Sequence, residues 1–182
     1  TEFTYSRFWL PFLREFKGHA LFCDCDFMFT RDLTELYDLF DPKYAVQVVK
    51  HDYTPKSILK MDGQKQVNYP RKNWSSLMLF NCEHPANKQL NLEYLNGASA
   101  QDLHRFAWLN DSEIGELPGE WNWLEGDEEV LPHLPAGVHY TNGGPWFKGH
   151  EYVQYADIWR AELLHQKAGY TITGKYAEMN WN

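Results

Sequence analysis

The stretch Ala20-Leu21-Phe22-Cys23-Asp24-Cys25-Asp26 constrains this chain more than any other, because an apolar run stops abruptly at two carboxylates. Such a run reads as a strand entering a site. Side chains alternate along a strand, so Asp24 and Asp26 are predicted to project to one side and Cys23 and Cys25 to the other. Two like charges held that close call for a cation. A hard divalent ion such as Mn²⁺ or Mg²⁺ takes oxygen ligands and commonly joins protein carboxylates to substrate phosphates. The pattern therefore points to a metal and a diphosphate, although one helix-capping Asp beside one solvated Asp would give the same letters.

A second segment, His139-Tyr140-Thr141-Asn142-Gly143-Gly144-Pro145-Trp146, carries turn chemistry and two adjacent glycines. Without a Cβ at Gly143 and Gly144, a phosphate can approach the backbone closely. His139 offers an imidazole that would complete a metal site; a hydrogen-bonded structural histidine is the competing reading. Lys148, just past the turn, is either a cation placed to meet a diphosphate or an ordinary surface charge.

Around these segments the periodicity alternates. Thr1 to Leu13 is rich in aromatic and apolar residues and reads as the middle of a fold. Leu33, Leu36, Tyr37 and Phe40 recur at helical spacing behind Thr30 and Asp32, which can cap, and Asp41-Pro42 stops the helix. Tyr44 to Val49 and Ser75 to Asn81 read as strands, the second of them buried. His51 to Asn73 is polar and Lys-rich, a long loop of the kind that often carries function. Pro85 to Leu95 and Ser99 to Leu109 read as two short helices divided by Asn96-Gly97, and Tyr152, Tyr155, Ala156, Trp159 and Leu163 mark a later one. Strands alternating with helices predict an α/β fold.

At 182 residues the sequence suits one domain with a real core, residues 1–182. A net charge of -8 and the lack of a dense Lys/Arg run argue against nucleic acid or an anionic membrane as partner. Cys23, Cys25 and Cys82 form no even framework, and a bridge between Cys23 and Cys25 is geometrically poor. Reduced thiols, no apolar run near the ~20 residues of a transmembrane helix and no signal-like start predict a cytoplasmic protein.

The run from Thr4 to Asp41, TYSRFWLPFLREFKGHALFCDCDFMFTRDLTELYDLFD, resembles the centre of the glycogenin-like and lipopolysaccharide galactosyltransferase-like family (glycosyltransferase family 8-like). Tyr5 and Arg7 match its Tyr-x-Arg, Asp24 and Asp26 its Asp-x-Asp, and Arg31 and Asp32 its Arg-Asp-x-x-x-Leu helix. His139, Gly143, Pro145 and Trp146 are similar to its closing His-x-x-Gly-x-x-Lys-Pro-Trp segment, one residue shorter and with Gly144 in place of the lysine. Leu117 to Leu124 looks like the Leu-Pro-x-x-aromatic-Asn stretch. The resemblance implies a GT-A-like mixed sheet flanked by helices. It also implies transfer of a sugar, with retention, from a nucleotide diphosphate sugar to a saccharide or other hydroxyl acceptor. Asp24, Asp26 and His139 would hold Mn²⁺ or Mg²⁺. Arg7, Gly143, Gly144 and Lys148 would serve the nucleotide, and Asp102 would lie near the anomeric carbon. Arg105, Asn122 and Trp123 are further candidates for the sugar pocket, and Trp74, Trp121 and Trp123 either stack on a sugar or build the core. The family's N-terminal βαβ unit does not precede Tyr5 here, so the domain is expected to be a fragment, or to have that part absent or supplied differently.

Two other readings share these letters. An apolar strand ending in Asp-x-Asp also opens phosphatases of the haloacid dehalogenase type, in which the first Asp is a nucleophile; Asp127-Glu128-Glu129 would supply the acidic part. A non-catalytic sugar- or nucleotide-binding module is the third.

Overall fold

Strand β4 (Leu77–Asn81) organises the molecule, since all five of its residues are buried. It is flanked antiparallel by β1 (His19–Cys23) and by β3 (Val46–Val48), and β3 pairs in parallel with β5 (Ile114–Glu116). The sheet order is β1-β4-β3-β5. The computed structural model describes residues 2–51 and 71–167. Most of the loop expected from His51 to Asn73 lies outside them.

Alternation along β4 divides the interior in two. Met78 and Phe80 face a core of Phe8, Val46, Val48, Leu103, Phe106 and Ile114. Leu77 and Leu79 face the opposite way, onto Leu36, Val49, Leu117, Trp121 and Ala136. Covering both faces is what a continuous apolar strand requires. The first core is closed by the short helices α1 (Glu2–Ser6), α2 (Leu10–Leu13) and α5 (Ala100–His104), with α1 packed on α5 and α2 on β1. The second is closed by α3 (Leu33–Tyr37), whose Leu36 is fully buried. Asp32 caps α3 by accepting the Thr34 amide at 2.8 Å.

A second sheet, in the order β2-β7-β6, is built from β2 (Phe27–Phe29), β7 (Gly137–His139) and β6 (Trp123–Leu124). Strand β7 runs antiparallel to β2 and parallel to β6. Met28, Trp123, Val138 and Tyr140 form its core, against which Trp159 of helix α6 (Ala156–Lys167) packs.

Several elements differ from the sequence reading, each for a local reason. The helix expected over Pro85 to Leu95 is a 3-10 turn (Pro85–Gln89) followed by α4 (Leu92–Gly97). Asn91 begins α4 afresh by capping the Tyr94 amide at 3.0 Å. Tyr152 is 95% exposed and outside α6, and Tyr155 has φ +60, a left-handed conformation that holds the helix off until Ala156. Among the described residues no helix is long and apolar enough to cross a membrane.

Candidate metal centre

Asp24 and Asp26 lie in the turn that joins the two sheets. Strand β1 ends at Cys23, yet the Asp24 amide still donates to the Ser76 carbonyl at 2.9 Å, one step beyond the β1–β4 ladder. The Asp26 carbonyl accepts from the Tyr140 amide at 3.0 Å, at the start of the β2–β7 pairing. Each aspartate is thus fixed to a different sheet. The expected strand alternation therefore stops at Cys23, and the turn delivers both carboxylates to one place. Cys25, between them, is exposed, and all three cysteines are free.

Strand β7 brings His139 to the same place. Asp24, Asp26 and His139 each offer one ligand atom, and these atoms lie within 4.8 Å of one another. His139 Nδ1 meets Asn122 Oδ1 at 3.0 Å, and the Phe27 ring stacks on the imidazole with centroids 4.4 Å apart. Its Nε2 faces Asp26 Oδ1 at 3.3 Å. That Oδ1 is buried and has no hydrogen-bond partner. Carboxylate and imidazole lone pairs so close need something positive between them, either a proton on Nε2 or a shared cation. Two carboxylates and an imidazole suit Mn²⁺ or Mg²⁺ in chemistry, and the orphaned Oδ1 is an atom such an ion would satisfy.

Arg7 grips Asp24 with its fork, Nη2 to Oδ1 at 2.6 Å and Nη1 to Oδ2 at 3.2 Å, and Nη1 also donates to the Ser75 carbonyl at 2.8 Å. The guanidinium lies over the Phe22 ring, 4.8 Å from its centroid. Burial pushes the Asp24 carboxyl above its ordinary range, against the pull of Arg7 and His139. Burial acts the same way on Asp26, but the imidazole beside it and a backbone amide outweigh it, and the net shift is downward.

These groups line a polar cleft of about 260 Å³ together with Thr4, Asn73, Ser75, Ser76, His104 and Thr141. Sequence reasoning missed Ser75, Ser76 and His104, which converge on the cleft from distant segments. Ser75 Oγ lies 2.6 Å from His104 Nδ1, and Ser76 Oγ accepts from Asn122 Nδ2 at 2.9 Å. The only advance signal was the pair of small polar residues opening an otherwise apolar strand.

Other sequence candidates sit elsewhere. Gly143 and Gly144 do not line the cleft: the Gly143 amide is spent on the Tyr140 carbonyl at 2.8 Å, and the Trp146 ring covers Gly144 so closely that a Cβ there would collide with it. Only Thr141 of this turn faces the cleft, and Lys148 is exposed outside the lining. Asp102 is exposed in the first turn of α5, its amide donating to the capping Ser99 Oγ at 3.1 Å and its Oδ2 accepting from that hydroxyl at 2.7 Å, and α5 presents His104 to the cleft instead. Asn122 is fully buried behind His139, and Trp121 and Trp123 are core residues with 1% exposure each. Arg31 ties α3 to the segment before β6 through Glu120 at 2.8 Å.

The phosphatase pattern fits this geometry poorly. Both oxygens of Asp24, its would-be nucleophile, are held by Arg7, and β1 pairs antiparallel with β4.

No protein-family profile matches the chain. A curated Arabidopsis thaliana protein, Protein CDI, is 51% identical over 167 residues, which cover 90% of this chain and 64% of that protein. The chain thus spans less than two thirds of its relative's length. Among solved structures, the bifunctional glycosyltransferase WbbM superimposes with a TM-score of 0.62 at 19% identity, over 96% of this chain and 36% of that one. The apo form of the glycosyltransferase GlyE from Streptococcus pneumoniae TIGR4 gives 0.59 at 16%, over 88% and 43%. The galactosyltransferase LgtC, solved with donor and acceptor sugar analogues, gives 0.53 at 18%, over 94% and 68%. The chain has the mixed-sheet GT-A fold of these glycosyltransferases.

Proposed function

We propose that this chain carries the centre of a metal-dependent glycosyltransferase, family 8-like, that moves a hexose from a nucleotide diphosphate sugar to a hydroxyl acceptor with retention. The observation that carries this reading is the buried, unpartnered Asp26 Oδ1 facing His139 Nε2 at 3.3 Å, in a polar cleft of a glycosyltransferase fold.

Asp26 and His139, with Asp24 beside them, would hold Mn²⁺ or Mg²⁺. Such an ion supplies a Lewis acid for the charge that develops on a departing nucleoside diphosphate. The protein's own part is positioning. Arg7 holds Asp24 in one orientation while staying bound to the Ser75 carbonyl, so the first carboxylate is preorganised. Ser75 and His104 face the same cleft and offer hydroxyl and imidazole hydrogen bonds to a sugar. The free thiols suit a reducing, cytoplasmic setting.

The test is calorimetric titration with a panel of nucleoside diphosphates, with and without Mn²⁺, on the wild-type chain and on Asp26→Asn. Binding that needs both the ion and Asp26 supports the reading and names the base. Nucleotide binding indifferent to Mn²⁺ and to Asp26 would overturn it. Metal-dependent binding with no turnover of any nucleotide sugar favours a binding module.

A further inference from the structure

We infer that Asn122 and Ser76 are positioning residues for His139: together they keep a proton on its Nδ1, and so make Nε2 the nitrogen that can give up its proton for a cation shared with Asp26. The placement of that proton stands on hydrogen bonding alone; its consequence for metal affinity rests on the metal reading above.

The argument runs from the far end of a relay. Ser76 Oγ donates its one proton to the Asn73 carbonyl at 2.7 Å, so only its lone pairs are left for Asn122. The Asn122 group 2.9 Å from Ser76 Oγ must therefore be the amide nitrogen. Its carbonyl oxygen then faces His139 Nδ1 at 3.0 Å, and an amide oxygen can only accept. Nδ1 must carry a hydrogen. Reversing the Asn122 amide would set two oxygens without a proton against each other at Ser76. Asn122 is fully buried, Ser76 is 4% exposed and His139 3%, so bulk water does not compete for these bonds.

Packing holds the ring at the required rotation. Phe27 lies nearly parallel to the imidazole, at 17°, and β7 fixes the His139 backbone against Phe27 itself. The relay also ends on a fixed point, since Asn73 takes φ +64, a left-handed conformation in which Asn is among the tolerated residues. A histidine that ligates through one nitrogen generally owes its orientation to a hydrogen bond at the other. Here that bond comes from a neutral amide whose own direction is set by a serine.

The experiment uses the ¹⁵N-labelled chain, free of metal and again with Mg²⁺. Long-range ¹H–¹⁵N spectra report the His139 tautomer, and electron paramagnetic resonance reports Mn²⁺ affinity on the same samples. Wild type is expected to carry the proton on Nδ1. Asn122→Leu should move it to Nε2 and weaken Mn²⁺ about 10- to 100-fold. Ser76→Ala should do the same in part, and Asn122→Asp, which keeps an acceptor, should retain the Nδ1 proton. An Nδ1 proton that persists in both Asn122→Leu and Ser76→Ala overturns the inference. So does a moved proton with unchanged Mn²⁺ affinity. If wild type takes up no Mn²⁺, or Asp26→Asn binds it as tightly, the metal reading fails and the spectra still decide the proton. If Asn122→Leu does not fold, Ser76→Ala carries the test.

Discussion

Arg7 binds Asp24 through both carboxylate oxygens, at 2.6 and 3.2 Å, while the carboxylate two residues later keeps one buried oxygen with no hydrogen bond at all. The asymmetry assigns the two acids different work. Asp24 is neutralised and oriented by the protein, and Asp26 faces the cleft with its charge available. The side chains of Arg7 and Asp24 are 8% and 19% exposed, so the pair is largely withdrawn from water.

Removing Arg7 should therefore be costly. Arg7→Met leaves a mostly buried carboxylate unpaired and is expected to lower stability by about 3 kcal/mol at pH 7 in urea unfolding. The pH dependence gives a sharper check. Burial already raises Asp24 above 3.8 against the pull of Arg7. Between 3.8 and the raised value the native state holds more protons than the unfolded chain, so stability falls as pH rises through that window. Losing Arg7 raises Asp24 further and widens the window upward. The deficit of the variant should be small below pH 3.8 and grow above it. A deficit independent of pH would show that packing of the Arg7 stem, not its charge, was lost.

Gly137 should be irreplaceable. A Cβ at this β7 residue would run into the backbone carbonyl of Trp121, which cannot swing away, and would press on the Phe29 ring at 3.3 Å. Gly137→Ala is expected to cost about 2 kcal/mol or more and, by shifting β7, to weaken Mn²⁺ binding at His139. Gly97 is the control. It ends α4, does not take a positive φ and has open space where a Cβ would stand. Gly97→Ala should gain about 0.5 kcal/mol in the same unfolding measurement. Equal effects at the two positions would contradict the packing described here.

The turn after β7 yields a test of phosphate binding. Lys148 is exposed and outside the cleft lining. Lys148→Ala should leave nucleoside diphosphate affinity within about twofold, as surface substitutions generally do. A loss of tenfold or more in calorimetry would mean that the lysine reaches the ligand and that the turn closes on it.

How legible all this was in the sequence depended on range. Asp24 and Asp26 could be picked out because they are two residues apart at the end of an apolar run, although the sheet-to-sheet turn that aims them could not. His139 was visible through its glycine-rich company. Ser75, Ser76, His104 and Asn122 are joined to one another and to His139 by side-chain bonds that span 17 to 46 residues, and a single sequence carries no record of such pairs. Composition likewise left Trp121 and Trp123 open between sugar platform and core, until their burial placed them in the core. At the Gly143-Gly144 pair, turn chemistry gave no sign that the absent side chain at Gly144 makes room for the Trp146 ring.

Asn87, in the 3-10 turn after β4, offers a test away from the cleft. It is fully buried, donates to the carbonyls of Ala45 and Asn81 at 2.7 Å each, and accepts from Trp108 Nε1 at 3.2 Å. Both carbonyls have other donors, from the amides of Asn81 and His84, whereas these bonds show Trp108 with Asn87 alone. Asn87→Ala should cost about 3 kcal/mol, chiefly by stranding the indole N–H, and Trp108→Phe about 1.5 kcal/mol by leaving Asn87 Oδ1 empty. Both substitutions break one shared bond, so the double variant should lose about 1 kcal/mol less than the sum of the two. Strict additivity would mean that the bond contributes nothing. Mn²⁺ affinity should not change in any of the three, because neither residue lines the cleft.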